Sequence, residues 1–186
     1  MRLFVALEIP SAVRGNLAAL IRELRAIAPQ AKWVRVENLH VTLKFIGEVP
    51  DTKLESIRTA LAGVRSNLPV TLEFRGLGFF PNEKHPRVFW AGIEASANLK
   101  TLAADIEDAA EKLGTPHEKR PFSPHLTLAR FESPKLTDPF RDAIAANAAR
   151  DFGPLRTNHF HLIESRLKPA GAEYTTLQSF PFSAEA

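Results

Sequence analysis

The sequence predicts an α+β fold made by duplication: two antiparallel-rich sheets related by a pseudo-twofold axis, helices on their outer faces and a central cleft between two lobes. Three observations lead there. The chain repeats itself at an offset of 85 (125 minus 40): Arg2-Leu3-Phe4-Val5-Ala6 lines up with Arg87-Val88-Phe89-Trp90-Ala91, and His40-Val41-Thr42-Leu43 with His125-Leu126-Thr127-Leu128, without insertion or deletion. Each half reads in the same order, a short strand, an amphipathic helix, a strand opening on histidine, a second helix and a closing strand. The strand patterns at 70–80 and 88–93 are adjacent in sequence, which suits a hairpin or meander rather than a parallel crossover. With no linker between the halves, residues 1–186 are expected to form one compact unit of two intertwined lobes.

Each element has its own warrant. Residues 2–7 are an apolar β-run cut short by Glu8 and Pro10. In the first helix Ser11 is placed to cap the N-terminus, and Val13, Leu17, Leu20, Ile21, Leu24 and Ala28 recur at helical spacing, with Arg14, Arg22 and Arg25 facing away and Pro29 ending it. Its counterpart starts after Ser96 and carries Leu99, Leu102, Ala103, Ile106, Ala110 and Leu113, with Gly114 at the C-terminal cap. Further helices are predicted over 52–68 and 137–149. Strands are predicted over 70–80, 88–93 and 155–167, and a short one at Tyr174-Thr175-Thr176-Leu177.

Composition narrows the function. The chain of 186 residues is 45% hydrophobic and 24% charged, which excludes a disordered protein. It has no cysteine, so disulfides and thiolate metal sites are excluded and a reducing compartment, the cytoplasm, is expected. The opening apolar run is shorter than a signal-peptide core, and no segment is long enough to span a bilayer. Lysine and arginine exceed aspartate and glutamate by 24 to 21, a slight excess that suits a local anionic substrate better than a nucleic-acid coat.

The paired tetrads carry the chemistry. Composition alone would give about 0.04 His-x-Thr-Leu tetrads in such a chain, and there are two. Alternation along each strand puts His40, Thr42 and Lys44 on one face and Val41, Leu43 and Phe45 on the other; likewise His125 and Thr127 oppose Leu126 and Leu128. If both strands line the pseudo-twofold axis, two imidazoles and two hydroxyls converge on one cleft. An unperturbed imidazole titrates near pH 6.5, so one ring can accept a proton while the other donates. In-line displacement at phosphorus needs acid and base on opposite sides. The threonine hydroxyls are placed to bond the non-bridging oxygens. A copied but inert core tetrad would explain one such histidine more readily than two.

At these residues the chain resembles the two-histidine phosphoesterase superfamily, and within it the LigT-like RNA 2',3'-cyclic phosphodiesterases, also called 2'-5' RNA ligases. The likeness takes in Arg2-Leu3-Phe4-Val5-Ala6, Trp33-Val34, the run from Glu37 through His40-Val41-Thr42-Leu43 to Glu48, Pro124-His125-Leu126-Thr127-Leu128-Ala129-Arg130, Leu162-Ile163-Glu164-Ser165 and Tyr174. The resemblance implies metal-independent hydrolysis of a terminal RNA 2',3'-cyclic phosphate to a 2'-phosphate. It implies that His40 is the general acid at the leaving 3'-oxygen, that His125 is the base activating water, and that Thr42, Thr127 and Arg130 hold the phosphate. The implied partners are RNA ends with 2',3'-cyclic phosphate, tRNA fragments among them, with no cofactor and no metal; a monomer is expected.

Strict alternation would put Arg130 with Leu126 and Leu128, so it reaches the phosphate only if the strand bends or ends first. Phe45, its counterpart, is expected in the core, a base-stacking platform being the alternative. Arg35, Lys44 and Arg120, with Lys32 and Lys119, flank the histidine strands as a candidate positive rim for RNA, Arg35 and Arg120 first among them. His159-Phe160-His161 has a spacing compatible with metal binding but lacks third and fourth ligands nearby. Trp33 and Trp90 are expected in the core.

Overall fold

A computed structural model describes residues 1–66, 68–133 and 135–182. The strands are β1 (Arg2–Glu8), β2 (Lys32–Trp33), β3 (His40–Glu48), β4 (Val70–Phe80), β5 (Val88–Ala95), β6 (His125–Arg130), β7 (Asp151–Thr157), β8 (His159–Lys168) and β9 (Gly171–Pro181). The helices are α1 (Ser11–Ile27), α2 (Leu54–Ala62), α3 (Asn98–Glu111) and α4 (Asp138–Ala146), with 3-10 turns at Val36–Asn38 and Asp51–Lys53.

One sheet has the order β3-β1-β8-β9 and the other β2-β6-β5-β4-β7, every neighbouring pair antiparallel. Setting β2 aside, the orders match strand for strand: β3 with β6, β1 with β5, β8 with β4, β9 with β7. This is the expected bilobal α+β fold. The lobes exchange chain segments, since β2 leaves the first half to pair with β6, and β8 returns from the second half to flank β1 with β9 beyond it.

The main core is continuous between the lobes. Leu3, Val5 and Leu7 of β1 meet Val13, Leu17, Leu20 and Leu24 of α1, and Phe74, Phe89, Leu126 and Leu128 extend the same cluster into the second sheet. The opposite face of β1 carries a smaller cluster of Phe4, Ala6 and Ile163, edged by Tyr174. Burying a residue of this kind is worth about 1.5–3 kcal/mol, so the two faces of β1 fix its register on both sides.

Four details differ from expectation. Ser11 is the first helical residue, and Pro10 occupies the cap position with no side-chain bond; Ser96 lies before the cap of α3 and instead bonds Thr71 N and Asn98. Thr137, in contrast, caps α4 through Phe140 N. The helix predicted over 52–68 stops at Ala62, because the chain turns away and Ser66 N donates to Phe182 O at 2.7 Å; Asn67 lies outside the described residues. The strand predicted over 155–167 is two strands in different sheets, broken at Asn158, whose carbonyl accepts from Phe182 N.

The fourth detail concerns the repeat. Across the first lobe β1 pairs Phe4, Ala6 and Glu8 with Phe45, Thr42 and His40; across the second, β5 pairs Val88, Trp90 and Gly92 with Arg130, Thr127 and His125. The histidine strands are thus related by 85 residues (125 minus 40), but their neighbours by 84 (92 minus 8). The matched pentapeptides are one residue out of structural register. Phe4 faces the small cluster, whereas Phe89 points into the main core.

Candidate active site

Both histidine strands carry a β-bulge at the same place. The partners of β1 jump from Thr42 to Lys44, and those of β5 from Thr127 to Ala129, so Leu43 and Leu128 are the extra residues. Each bulge puts two consecutive side chains inward and inverts the alternation beyond it. Lys44 is consequently 6% exposed and Phe45 65% exposed, while in β6 Ala129 is buried and Arg130 exposed.

This inversion sets the faces on which three residues lie. Lys44 does not contribute to a basic rim: it is buried, donating to the Glu107 carboxylate and, at 2.9 Å, to Pro116 O. Phe45 is outside the core, on the face of His40 and Thr42, where its ring lies 5.9 Å from that of Phe4. Arg130 lies on the face of His125 and Thr127 without the strand having to end, and makes no ion pair among the described residues.

The two imidazoles are held alike. His40 Nδ1 donates to Asn38 O at 3.2 Å and His125 Nδ1 to Ser123 O at 2.8 Å, each carbonyl two residues upstream and the two separated by 85. A carbonyl can only accept, so Nδ1 carries hydrogen and Nε2 is left to exchange a proton with a ligand. Aromatic rings fix the orientation: Phe80 meets His125 edge-on at 4.8 Å, and Tyr174 and Phe4 stand 5.8 and 6.3 Å from His40. Burial, the largest influence on His40, holds it below the ordinary histidine range, only partly offset by the Asn38 carbonyl and Glu8. Strands β3 and β6 approach each other between the lobes.

The other predicted residues are more scattered. Arg35 lies beside the β8–β9 turn, its Nε 3.7 Å from Glu37, close to where Asn38 Nδ2 donates to Ala172 O. Arg120 is exposed in the irregular 115–124 segment. Trp33 is half-buried against the main core, its Nε1 donating to Ala28 O, whereas the Trp90 indole covers Gly78 on the site face of β5. His159 and His161 share a face of β8 but bond Asn158 and Ser179 respectively. Among the described residues, the group with metal-ligand spacing is Asp108, Glu111 and His117, all exposed and none of them a tetrad residue. Sequence reasoning missed Glu8, opposite His40, and the carbonyls of Asn38 and Ser123, although their spacing of 85 was a usable signal.

Known proteins share this architecture. The RNA 2',3'-cyclic phosphodiesterase of Archaeoglobus fulgidus is 34% identical over 180 residues, 97% of this chain and 99% of the relative. The protein of the same name from Thermus thermophilus is 35% identical over 194 aligned positions, 100% of this chain and 92% of its own. Among solved structures, a Thermus thermophilus protein superposes with a TM-score of 0.78 at 34% identity over 100% of both chains. Escherichia coli LigT complexed with 3'-AMP gives 0.77 at 27% identity over 98% of both. The 2'-5' RNA ligase superfamily profile matches residues 13–169. With the sheet order, the paired tetrads and these likenesses in agreement, the chain belongs to the 2'-5' RNA ligase superfamily.

Proposed function

We propose that the chain hydrolyses the terminal 2',3'-cyclic phosphate of RNA to a 2'-phosphate, with His40 as general acid and His125 as general base and with no metal required. The observation that carries this reading is the matched pair of imidazoles, each with Nδ1 tied to a backbone carbonyl and Nε2 without a hydrogen-bond partner among the described residues, on pseudo-equivalent strands. Water attacks phosphorus as His125 takes its proton; the P–O3' bond breaks and the 3'-oxygen takes the proton of His40. The 2'-phosphate remains on the RNA. Burial disfavours the His40 imidazolium and a bound phosphodiester anion favours it, so substrate binding helps to load the acid.

The bulges distribute the remaining tasks. Arg130, on the second lobe, supplies charge for the non-bridging oxygens, as do the hydroxyls of Thr42 and Thr127 by hydrogen bonding. Phe45, on the first lobe and backed by the buried Phe4, offers an aromatic surface to the terminal base. Microscopic reversibility allows the same site to form a 2'-5' bond from a cyclic phosphate and a free 5'-hydroxyl. The ligands are RNA ends, tRNA fragments included; among the described residues no helix is long and apolar enough to cross a membrane.

The test is incubation of a short RNA bearing a 2',3'-cyclic phosphate with the protein in excess EDTA, followed by mapping the retained phosphate. A 2'-phosphate is expected, with H40A and H125A each reducing turnover about 10²–10⁴-fold. A 3'-phosphate product, or wild-type rates from both variants, refutes the proposal.

A further inference from the structure

Duplication copies a histidine into each lobe, but acid–base catalysis requires the copies to differ in protonation, so some feature must break the symmetry. The strand register locates one. Glu8 stands opposite His40, and the structurally equivalent place opposite His125 is Gly92. One step along, Ala6 faces His161, and the equivalent pair is Trp90 facing Gly78. Neither glycine can be changed easily: a Cβ on Gly92 would collide with Arg75 O, and one on Gly78 with the Trp90 indole. A carboxylate is therefore built in beside one imidazole and sterically barred beside the other.

We propose that Glu8 is a positioning residue that favours the proton on His40 against burial and Arg14, biasing His40 toward the donor role and leaving His125 as the acceptor. The assignment rests on the two-histidine reading above. Residues directly opposite in antiparallel strands have Cβ atoms about 4.5–5.5 Å apart, within reach of charge on imidazole. Glu8 also lies 4.0 Å from His161 Nε2, but His161 is 9% exposed, its Nδ1 bonded to Ser179 Oγ at 2.8 Å, and burial disfavours its cation. The negative charge of Glu8 acts on both His161 and His40. The other groups facing His40 are Arg14 from α1, whose guanidinium bonds Val36 O and Leu39 O, His161 from β8 and the Tyr174 ring from β9. Arg14 opposes the imidazolium more strongly than Glu8 favours it, and of all these groups Glu8 alone is an anion, so its charge is what offsets Arg14.

The proposal is tested with E8Q, E8D and wild type, following the His40 and His125 Cε1–H resonances against pH by NMR and recording the pH profile of kcat/KM. In E8Q the His40 midpoint should fall by roughly half a pH unit, the Coulomb effect of one charge at about 6 Å in a watery medium. The limb of the rate profile that tracks His40 should move with it, and kcat/KM near pH 7 should drop about threefold. His125 should keep its midpoint, and E8D should restore most of the shift. An E8Q protein with His40 and the rate profile unmoved overturns the role of Glu8; if H40A and H125A are still inactive, the two-histidine mechanism stands without it. Full turnover by H40A removes that mechanism, and the role of Glu8 with it, even if the NMR shift is present.

Discussion

Replacing Lys44 by methionine tests the reasoning about the bulges most severely. Lys44 is drawn from the cleft face into the protein, where its ammonium serves Glu107 and the carbonyl of Pro116. Burial alone would raise the Glu107 carboxyl, yet it lies below its ordinary value because the Lys44 ammonium and the Glu118 amide, at 2.8 Å, outweigh burial. In K44M the carboxylate keeps one amide donor and loses its counter-charge. Removing one partner of a buried pair costs about 3–5 kcal/mol, which for a chain of this size lowers Tm by about 10 °C. Because the folded carboxyl titrates low, the pair's contribution is complete at neutral pH and disappears as acid protonates Glu107, so K44M and wild type should converge at low pH. The double variant K44M/E107L should recover most of the loss, since no charge is then left buried. Thermal and urea unfolding measure all three proteins. A loss below about 1 kcal/mol in K44M at neutral pH would refute the account, because it would mean the ammonium can reach water and the inversion beyond Leu43 is not enforced.

Two other outcomes follow from the same geometry. Phe45→Ala should leave stability within about 0.5 kcal/mol, since the ring is exposed, while weakening binding of a cyclic-phosphate oligonucleotide by about 1–3 kcal/mol; equal Kd values by fluorescence titration would remove Phe45 from the RNA surface. His40 and His161 are both held below the ordinary histidine value by burial, so the unfolded chain takes up protons near pH 6.5 that the folded protein refuses. Stability should therefore fall as the pH drops below about 6.5, and less steeply in H161N; identical slopes in Tm against pH would refute this.

Much of this architecture can be read from residue patterns because the signals are local. Helical spacing of Leu17, Leu20, Ile21 and Leu24 finds α1, and the repeat of His-x-Thr-Leu finds both site strands. What escapes is whatever depends on a second strand. Period-two alternation assumes an unbroken ladder, so it assigns Lys44, Phe45 and Arg130 to the wrong faces; the bulges exist only in pairing with β1 and β5. Asn158 divides β7 from β8 because two different sheets claim the flanking residues, which no window of one strand reveals. The similarity of Arg2–Ala6 to 87–91 even misleads, since matching letters there hide a one-residue slip in structure. Glu8 looks in isolation like the polar end of a strand, and acquires meaning only from the residue across the ladder.

The interleaving of the sheets has a consequence for biosynthesis. As the chain leaves the ribosome, β4, β5 and β6 can pair with one another early, whereas β1 waits with one edge bare until β8 and β9 are translated about 150 residues later. The lobe with His40 must therefore be completed after the lobe with His125, and a nascent polypeptide stalled before β8 presents an apolar strand with one open edge to chaperones and to other copies of itself.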